Sequence, residues 1–314
     1  MKLRVLGSGA GGGFPLWNCH CRQCSAWRRG ELDASARTQS SIAISQDGRP
    51  GEGWLLINAS PDLPQQIRAT PALQPGQAGP PGDQPIRAVV LLDSRLHHVA
   101  GLLSLRESRE LEVYATPLVF EDLTADLPLL HVLESYCRVR WRMLPIAGER
   151  RSAAFEIPGF PGLSFAAVAV PARTPRHARL RGEAAGECIA LQVQDLRSGR
   201  RLFLSPALAG VGEDELACMR DADCVVVDGS FWTEHGLQEA GVGAQSASEK
   251  GHLPQLRHGE RPGMIDVLRA SGAPRKVLTH IHHSNPILDR RGPQRRELAA
   301  QGIEVAHDGM EIEL

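Results

Sequence analysis

Three cysteines stand within one short stretch, Cys19, Cys21 and Cys24 of WNCHCRQCSAW. Thiols so spaced can converge on one point. Three thiolates would supply three of the four ligands that a structural zinc takes in a tetrahedron. The fourth has to come from elsewhere. His20 is tethered awkwardly between two of the cysteines, and the histidines at 280–283 are the best candidates. An iron–sulfur or redox role and a set of free thiols are the alternatives. A thiolate trio without metal would be open to oxidation, which counts against the last.

A second set of residues follows a common theme, in which an apolar run stops at an ionisable side chain. VVLLDSRLHH places Asp93, Arg95, His97 and His98 beyond one run, CVVVDG places Asp228 at the end of another, and KVLTHIHHSN carries His280, His282 and His283 on and after a third. Functional loops gather at the carboxyl ends of strands in α/β sheets. Imidazole and carboxylate together suit zinc, iron or manganese rather than calcium. His252, between glycine and proline in EKGHLPQ, could ligate a metal or move a proton. Each residue alone has an ordinary reading: a cap or core histidine for His97 and His98, a turn aspartate for Asp228, a solvated loop histidine for His252. The conjunction of three such strand ends argues for a shared polar site. His131, His177, His235, His258 and His307 carry no pattern, and Cys137, Cys188, Cys218 and Cys224 sit in or beside apolar segments as core residues do.

The glycine-rich GSGAGGG (7–13) lacks the Gly-Lys-Ser/Thr of a phosphate loop and opens into Phe-Pro-Leu-Trp-Asn rather than a helix, so no nucleotide cofactor is expected. Its glycines are expected to permit close backbone turns near a site.

The elements that must position these residues read as a mixed α/β pattern. Strands are predicted at 2–7, 40–45, 53–60, 86–92, 111–116, 139–146, 153–157, 162–170, 187–195, 200–205, 224–229 and 276–285. Helices are predicted at 61–70, 99–108, 213–221, 263–271 and 292–302, with helical alternation over 117–135, a loop over 71–85 and a terminal hairpin over 303–314 around Asp308-Gly309. No repeat or linker divides the chain, so one domain over 1–314 is the simplest account.

Composition narrows the function. The 314 residues carry Lys+Arg 35 against Asp+Glu 36, a net charge of -1, without the basic footprint of a nucleic-acid binder. No stretch reaches 18 apolar residues, which excludes a helical membrane span. The N-terminus runs straight into a strand-like segment without the regions of a signal peptide, so a cytoplasmic protein is expected. Seven cysteines then read as thiols or metal ligands rather than a disulfide framework.

The segments VLGSGAGGGFPLWNCHCRQC (5–24), RTQSSIAIS (37–45), LLINASPDL (55–63), DSRLHHVAGLL (93–103), VDGSFW (227–232), GHLP (251–254), HIHHSNPILD (280–289) and GIEVAHDGMEIEL (302–314) together resemble the coenzyme PQQ biosynthesis protein B family of the metallo-β-lactamase superfamily. The resemblance implies an αββα sandwich of two mixed β-sheets flanked by helices. It also implies a role in making pyrroloquinoline quinone (PQQ) from a Glu–Tyr-derived precursor. Two activities go with it: iron-dependent hydroxylation of a cross-linked diamino acid, or non-catalytic carriage of PQQ or its precursor toward the periplasm. A phosphodiesterase-like metallohydrolase is a further alternative. Other proteins of the pathway and a second copy of the chain are the implied partners.

The superfamily's hydrolases read His-x-His-x-Asp-His after the equivalent strand. At those positions this chain has Asp93, Arg95, His97 and His98, so only His98 is retained, and Arg95 and His97 also depart from the family's usual Asp-Ser-Gln-Ile-Asp-His. The missing aspartate weakens a hydrolase reading, and a guanidinium at position 95 disfavours a two-metal centre. Asp228 corresponds to the superfamily's bridging aspartate and His280 to its last metal histidine. No histidine stands near 168–173, where another ligand is expected. The resemblance therefore implies one Fe(II) or other divalent ion held by some of Asp93, His98, Asp228, His252 and His280, with Arg95, His97 and His252 in catalytic roles. Arg95 is suited to a substrate carboxylate. It also implies that His283 closes the cysteine zinc site.

Overall fold

A computed structural model describes residues 1–49, 52–75, 84–178 and 184–314 of the chain. Its strands are β1 (Lys2–Gly7), β2 (Ser41–Ser45), β3 (Trp54–Ile57), β4 (Ile86–Val90), β5 (Glu110–Ala115), β6 (Arg138–Met143), β7 (Ser152–Phe155), β8 (Leu163–Ala169), β9 (Ile189–Asp195), β10 (Arg201–Ser205), β11 (Cys224–Asp228), β12 (Arg275–Thr279), β13 (Ile303–Val305) and β14 (Glu311–Glu313). They form two seven-stranded sheets, β14-β1-β2-β3-β4-β5-β6 and β13-β12-β11-β10-β9-β8-β7. Each sheet mixes antiparallel pairs with a parallel block: β3 to β6 in the first, β10 to β13 in the second.

Period-two alternation distributes the side chains over three apolar layers. Leu3, Val5, Ile42, Ile44, Leu55, Ile57 and Val90 meet Phe165, Leu191, Leu202, Leu204, Val226 and Val277 between the sheets. The alternate residues Ala43, Leu56 and Val89 face helices outside the first sheet, and Phe203, Val225, Val227 and Leu278 face helices outside the second. Both faces are thus covered, which is why β4 and β11 read as unbroken apolar runs. The result is the αββα sandwich. No helix among the described residues is long and apolar enough to cross a membrane.

Four local expectations are corrected. The predicted hairpin over 303–314 does not form: β13 joins β12 in one sheet while β14 joins β1 in the other. Between them the Asp308 carboxylate accepts hydrogen bonds from the backbone N–H and hydroxyl of both Ser8 and Thr38, so the turn is anchored beside β1 and β2 of the first sheet while its flanking strands lie in different sheets. The helical stretch 117–135 breaks into Pro117–Glu121, a π-turn at Asp122–Asp126 and Leu129–Glu134. The strand predicted over 276–285 ends at Thr279, leaving the histidines on a loop. The loop predicted at 71–85 contains a 3-10 turn at Pro71–Leu73, and its residues 76–83 lie outside those described.

Candidate metal centres and their cavity

The carboxyl ends of β4, β11 and β12 meet at one edge of the sandwich. Asp93, three residues past β4, is 1% exposed. Its Oδ1 accepts from the Arg95 N–H at 2.9 Å and lies 2.7 Å from His98 Nδ1, while Oδ2 is 2.5 Å from Arg95 Nη1. Burial works against charge here, but His98 and Arg95 outweigh it and hold the carboxyl well below the usual range. An ionised Asp93 offers no proton, so His98 donates from Nδ1. In the neutral ring that leaves His98 Nε2 with a lone pair, and this atom is buried without a hydrogen-bond partner among the described residues. A carboxylate behind a histidine is how metal-ligating imidazoles are commonly aimed.

His280 follows β12 in the left-handed region, at φ 57°, where non-glycine residues are uncommon. Ser230 Oγ braces it, 3.0 Å from its carbonyl oxygen and 2.9 Å from Nδ1. Its Nε2 faces His97 Nε2 at 3.0 Å. Burial, with the neighbouring imidazoles, pushes both His97 and His280 well below the ordinary histidine value, so both rings are neutral. Two facing nitrogens can share only one proton, whereas a cation could accept a lone pair from each. Gly11 permits this arrangement, since a Cβ there would lie 3.2 Å from His97 Nδ1. The glycine-rich segment is therefore the close-packed wall behind an imidazole.

Asp228 ends β11 fully buried. Its Oδ2 is 2.5 Å from His252 Nδ1 and accepts from Leu208 N–H at 3.1 Å, and its Oδ1 accepts from Ser230 N–H at 2.9 Å. Two overlapping groups result, His97/His98/His280 and Asp228/His252/His280, in each of which the ligand atoms lie within 4.8 Å of one another. Asp93 belongs to neither, standing behind His98 instead.

Cys19, Cys21 and Cys24 form a third group within the same mutual distance. Cys21 N–H donates to Cys19 Sγ at 3.3 Å. Burial pushes the Cys24 thiol up to about 12, with the neighbouring thiols adding to it, so the three cannot ionise together unless a cation compensates them. His283 lies beside this group, its carbonyl oxygen 3.8 Å from Cys21 Sγ. Its ring nitrogens fall outside the 4.8 Å set, yet both are buried without a partner among the described residues. Burial, with Lys250 nearby, lowers His283 to about 4, which keeps it neutral and able to ligate.

The residues present fit two cations of different character: a soft one among the cysteines and a borderline one among the imidazoles and Asp228. The imidazole groups open into a cavity of about 620 Å³. Arg95, Arg173, Arg176 and Lys250 line it, with Glu249 the one acidic residue among its described lining. Arg95 Nη2 is buried with no hydrogen-bond partner among the described residues, although Nη1 is engaged by Asp93. Such a wall favours an acidic guest.

Sequence reasoning passed over several residues that build this site. Ser230 orients His280 and contacts His252 Nδ1 at 3.2 Å. Cys188 packs against Asp93, its Sγ 4.0 Å from Oδ2. Ser94 and His177 touch at 3.3 Å. Only Ser94 and Ser230, each next to or near a strand-end aspartate, had any positional signal.

A β-lactamase superfamily domain model matches residues 53–281. The chain is 46% identical to coenzyme PQQ synthesis protein B of Cupriavidus necator, over 100% of this chain and 99% of that protein. It is 47% identical to the protein of that name from Stutzerimonas stutzeri, over 100% of each. Zn²⁺-bound PqqB from Methylobacterium extorquens has a similar crystal structure, with a TM-score of 0.85 at 35% identity over 100% of both chains. A diphosphatase of the PhnP family matches at a TM-score of 0.64 and 18% identity over 100% of this chain and 97% of its own, a likeness of fold alone.

Proposed function

The chain belongs to the coenzyme PQQ synthesis protein B family of the β-lactamase superfamily and serves PQQ biosynthesis, and on that premise we propose that its cavity oxygenates an acidic, Glu–Tyr-derived cross-linked precursor with one iron(II) ion. The observation that carries the reading is the Nε2 of His98, buried without a partner among the described residues and aimed by an ionised Asp93 toward the His97 and His280 nitrogens.

His97, His98 and His280, with Asp228 and His252 beside them, would hold the ion. When bound, a redox-active divalent metal there supplies the one-electron chemistry that lets O₂ react with an electron-rich ring. The chain's own residues do the rest. Asp93 keeps His98 in the tautomer that presents Nε2. Ser230 fixes the ring and backbone of His280. Arg95, with one guanidinium nitrogen committed to Asp93 and another without a partner among the described residues, pairs with a substrate carboxylate, while Arg173, Arg176 and Lys250 favour the remaining acid groups. In the net reaction a ring C–H becomes C–OH. One oxygen atom of O₂ enters the product, and the other leaves as water with two protons and two electrons from an external two-electron reductant.

On the same reading, residues 1–314 act as one domain in the cytoplasm, and Cys19, Cys21, Cys24 and His283 hold a zinc that has no part in the chemistry. Arg95 occupies the second histidine position of the hydrolase motif, paired with Asp93, which speaks for one metal in the cavity rather than two. The test is anaerobic loading with Fe(II), followed by O₂, a reductant and the cross-linked diamino acid. A product heavier by one oxygen atom is expected. Bound iron with the diamino acid returned unchanged would leave the carrier reading in its place.

A further inference from the structure

We propose that His177 is a proton-transfer residue of this cavity, held in its working tautomer by a hydrogen-bond chain through Ser94 to Asp122. The inference rests on the reading of the cavity as the substrate site, and goes beyond it by assigning a residue outside every candidate metal group.

His177 sits in the 3-10 turn Arg176–Ala178 and lines the cavity. That turn packs against the π-turn Asp122–Asp126, which carries Asp122. Ser94 lies between them, fully buried, and Asp122 is 1% exposed. Ser94 Oγ donates to Asp122 Oδ2 at 2.5 Å and lies 3.3 Å from His177 Nε2. A hydroxyl has one proton to give. With that proton spent on Asp122, only the lone pairs of Oγ face His177, so Nε2 has to carry the imidazole hydrogen. Nδ1 is left with a lone pair and makes no hydrogen bond among the described residues.

A histidine serving only to anchor its turn gains nothing from a buried Ser–carboxylate pair behind it and a basic nitrogen that makes no hydrogen bond among the described residues. The same arrangement is what a proton acceptor needs: a fixed tautomer, a fixed ring and a buried hydrogen-bonded carboxyl group one link away. The proton step is simple. A substrate O–H or N–H in the cavity gives its proton to His177 Nδ1, the electron pair of the broken bond stays on the substrate atom, and the imidazolium then releases that proton to solvent. The proton between Ser94 and Asp122 does not move.

The economy of the segment after β4 supports the assignment. Asp93 aims His98 through Nδ1, and Ser94, the next residue, aims His177 through Nε2. One short run of backbone therefore positions an imidazole of the metal group and an imidazole outside it, with Arg95 pinning the run through its bond to Asp93.

Two variants and two measurements test the idea. His177→Gln keeps an N–H donor for Ser94 but has no basic nitrogen, and Ser94→Ala keeps the ring but removes the tautomer lock. In the iron-loaded hydroxylation assay, His177→Gln is expected to lower kcat about 100-fold with KM changed by less than about threefold, and Ser94→Ala to lower kcat by about tenfold. In metal-free protein labelled with ¹⁵N-histidine, His177 is expected as the Nε2–H tautomer in the wild type and as a mixture in Ser94→Ala. A His177→Gln kcat within about twofold of wild type, an effect on KM alone, or an Nδ1–H tautomer in the wild type would overturn the assignment. If wild-type protein makes no product, the oxygenase reading fails separately, and the tautomer measurement alone decides the place of His177.

Discussion

Replacing Asp93 by asparagine separates two roles that one carboxylate at a strand end can play, metal ligand or brace behind a ligand. The side chain is 1% exposed and bound to Arg95, which is itself 12% exposed, and to His98. Breaking a buried ion pair from one side costs about 3–5 kcal/mol. Arg95 borders the cavity and can reach solvent, so the lower end, about 3 kcal/mol, is expected for metal-free Asp93→Asn in urea denaturation at pH 7. The pH dependence has a definite sign. The Asp93 carboxyl is held below its unfolded value of about 3.9, so its contribution is present above that pH and is lost as pH falls through the lower folded value. The gap between wild type and variant should therefore narrow as the solution is acidified below pH 4. Metal affinity is read by competition with a chromogenic chelator. Loss of a carboxylate behind a ligand costs about 10–100-fold, or about 1.4–2.7 kcal/mol, while the cysteine site keeps its zinc. An unchanged affinity together with a stability change under about 0.5 kcal/mol would refute the brace. A loss beyond about 1000-fold would make Asp93 a ligand.

Other perturbations address separate parts of the account. Cys24→Ser should remove one equivalent of zinc by metal analysis, leave the cavity metal in place, and destabilise the fold by more than about 3 kcal/mol; retention of both metals would remove the cysteine centre. Arg95→Ala should raise KM for the acidic precursor at least about tenfold while iron binds normally, as measured by steady-state kinetics and metal titration, since a charge-assisted pair is worth about 1.5–3 kcal/mol; unchanged KM would end its substrate role. At Gly101 a Cβ would fall 2.0 Å from the Ser60 carbonyl oxygen and 2.8 Å from the Ala59 carbonyl carbon, so Gly101→Ala should cost about 1–3 kcal/mol by chemical denaturation. A neutral result there would mean that the helix after β4 does not pack on the 59–60 backbone.

Much of the sandwich was legible because its strands obey one simple rule. Val89 and Val90, or Val225 and Val226, face opposite apolar layers, and a strand covered on both sides shows as a run of branched apolar residues. The strand ends were legible for the complementary reason, since an aspartate closing such a run needs a special environment. The terminal turn was not. Asp308-Gly309 carries the same local chemistry whether its flanking strands pair with each other or with different sheets, and only the long-range bonds from Asp308 to Ser8 and Thr38 decide. Asp93 and His98 were found as residues, but whether a carboxylate faces the cation or stands behind an imidazole depends on a side-chain rotation that spacing does not encode. His177 gave no signal, because its partner Ser94 lies far away in sequence and meets it only through the packing of two irregular turns. His280 sits where a left-handed residue lets the chain leave β12 and return its ring to the site, a conformation no pattern announces.

Anomalous diffraction from crystals grown anaerobically with Fe(II) and the diamino acid, recorded at the iron and zinc edges, tests the central claim most directly. One iron peak bounded by His97, His98 and His280, with zinc confined to Cys19, Cys21 and Cys24, is the predicted result. Iron absent from the cavity, or metal found at the cysteines alone, would contradict it.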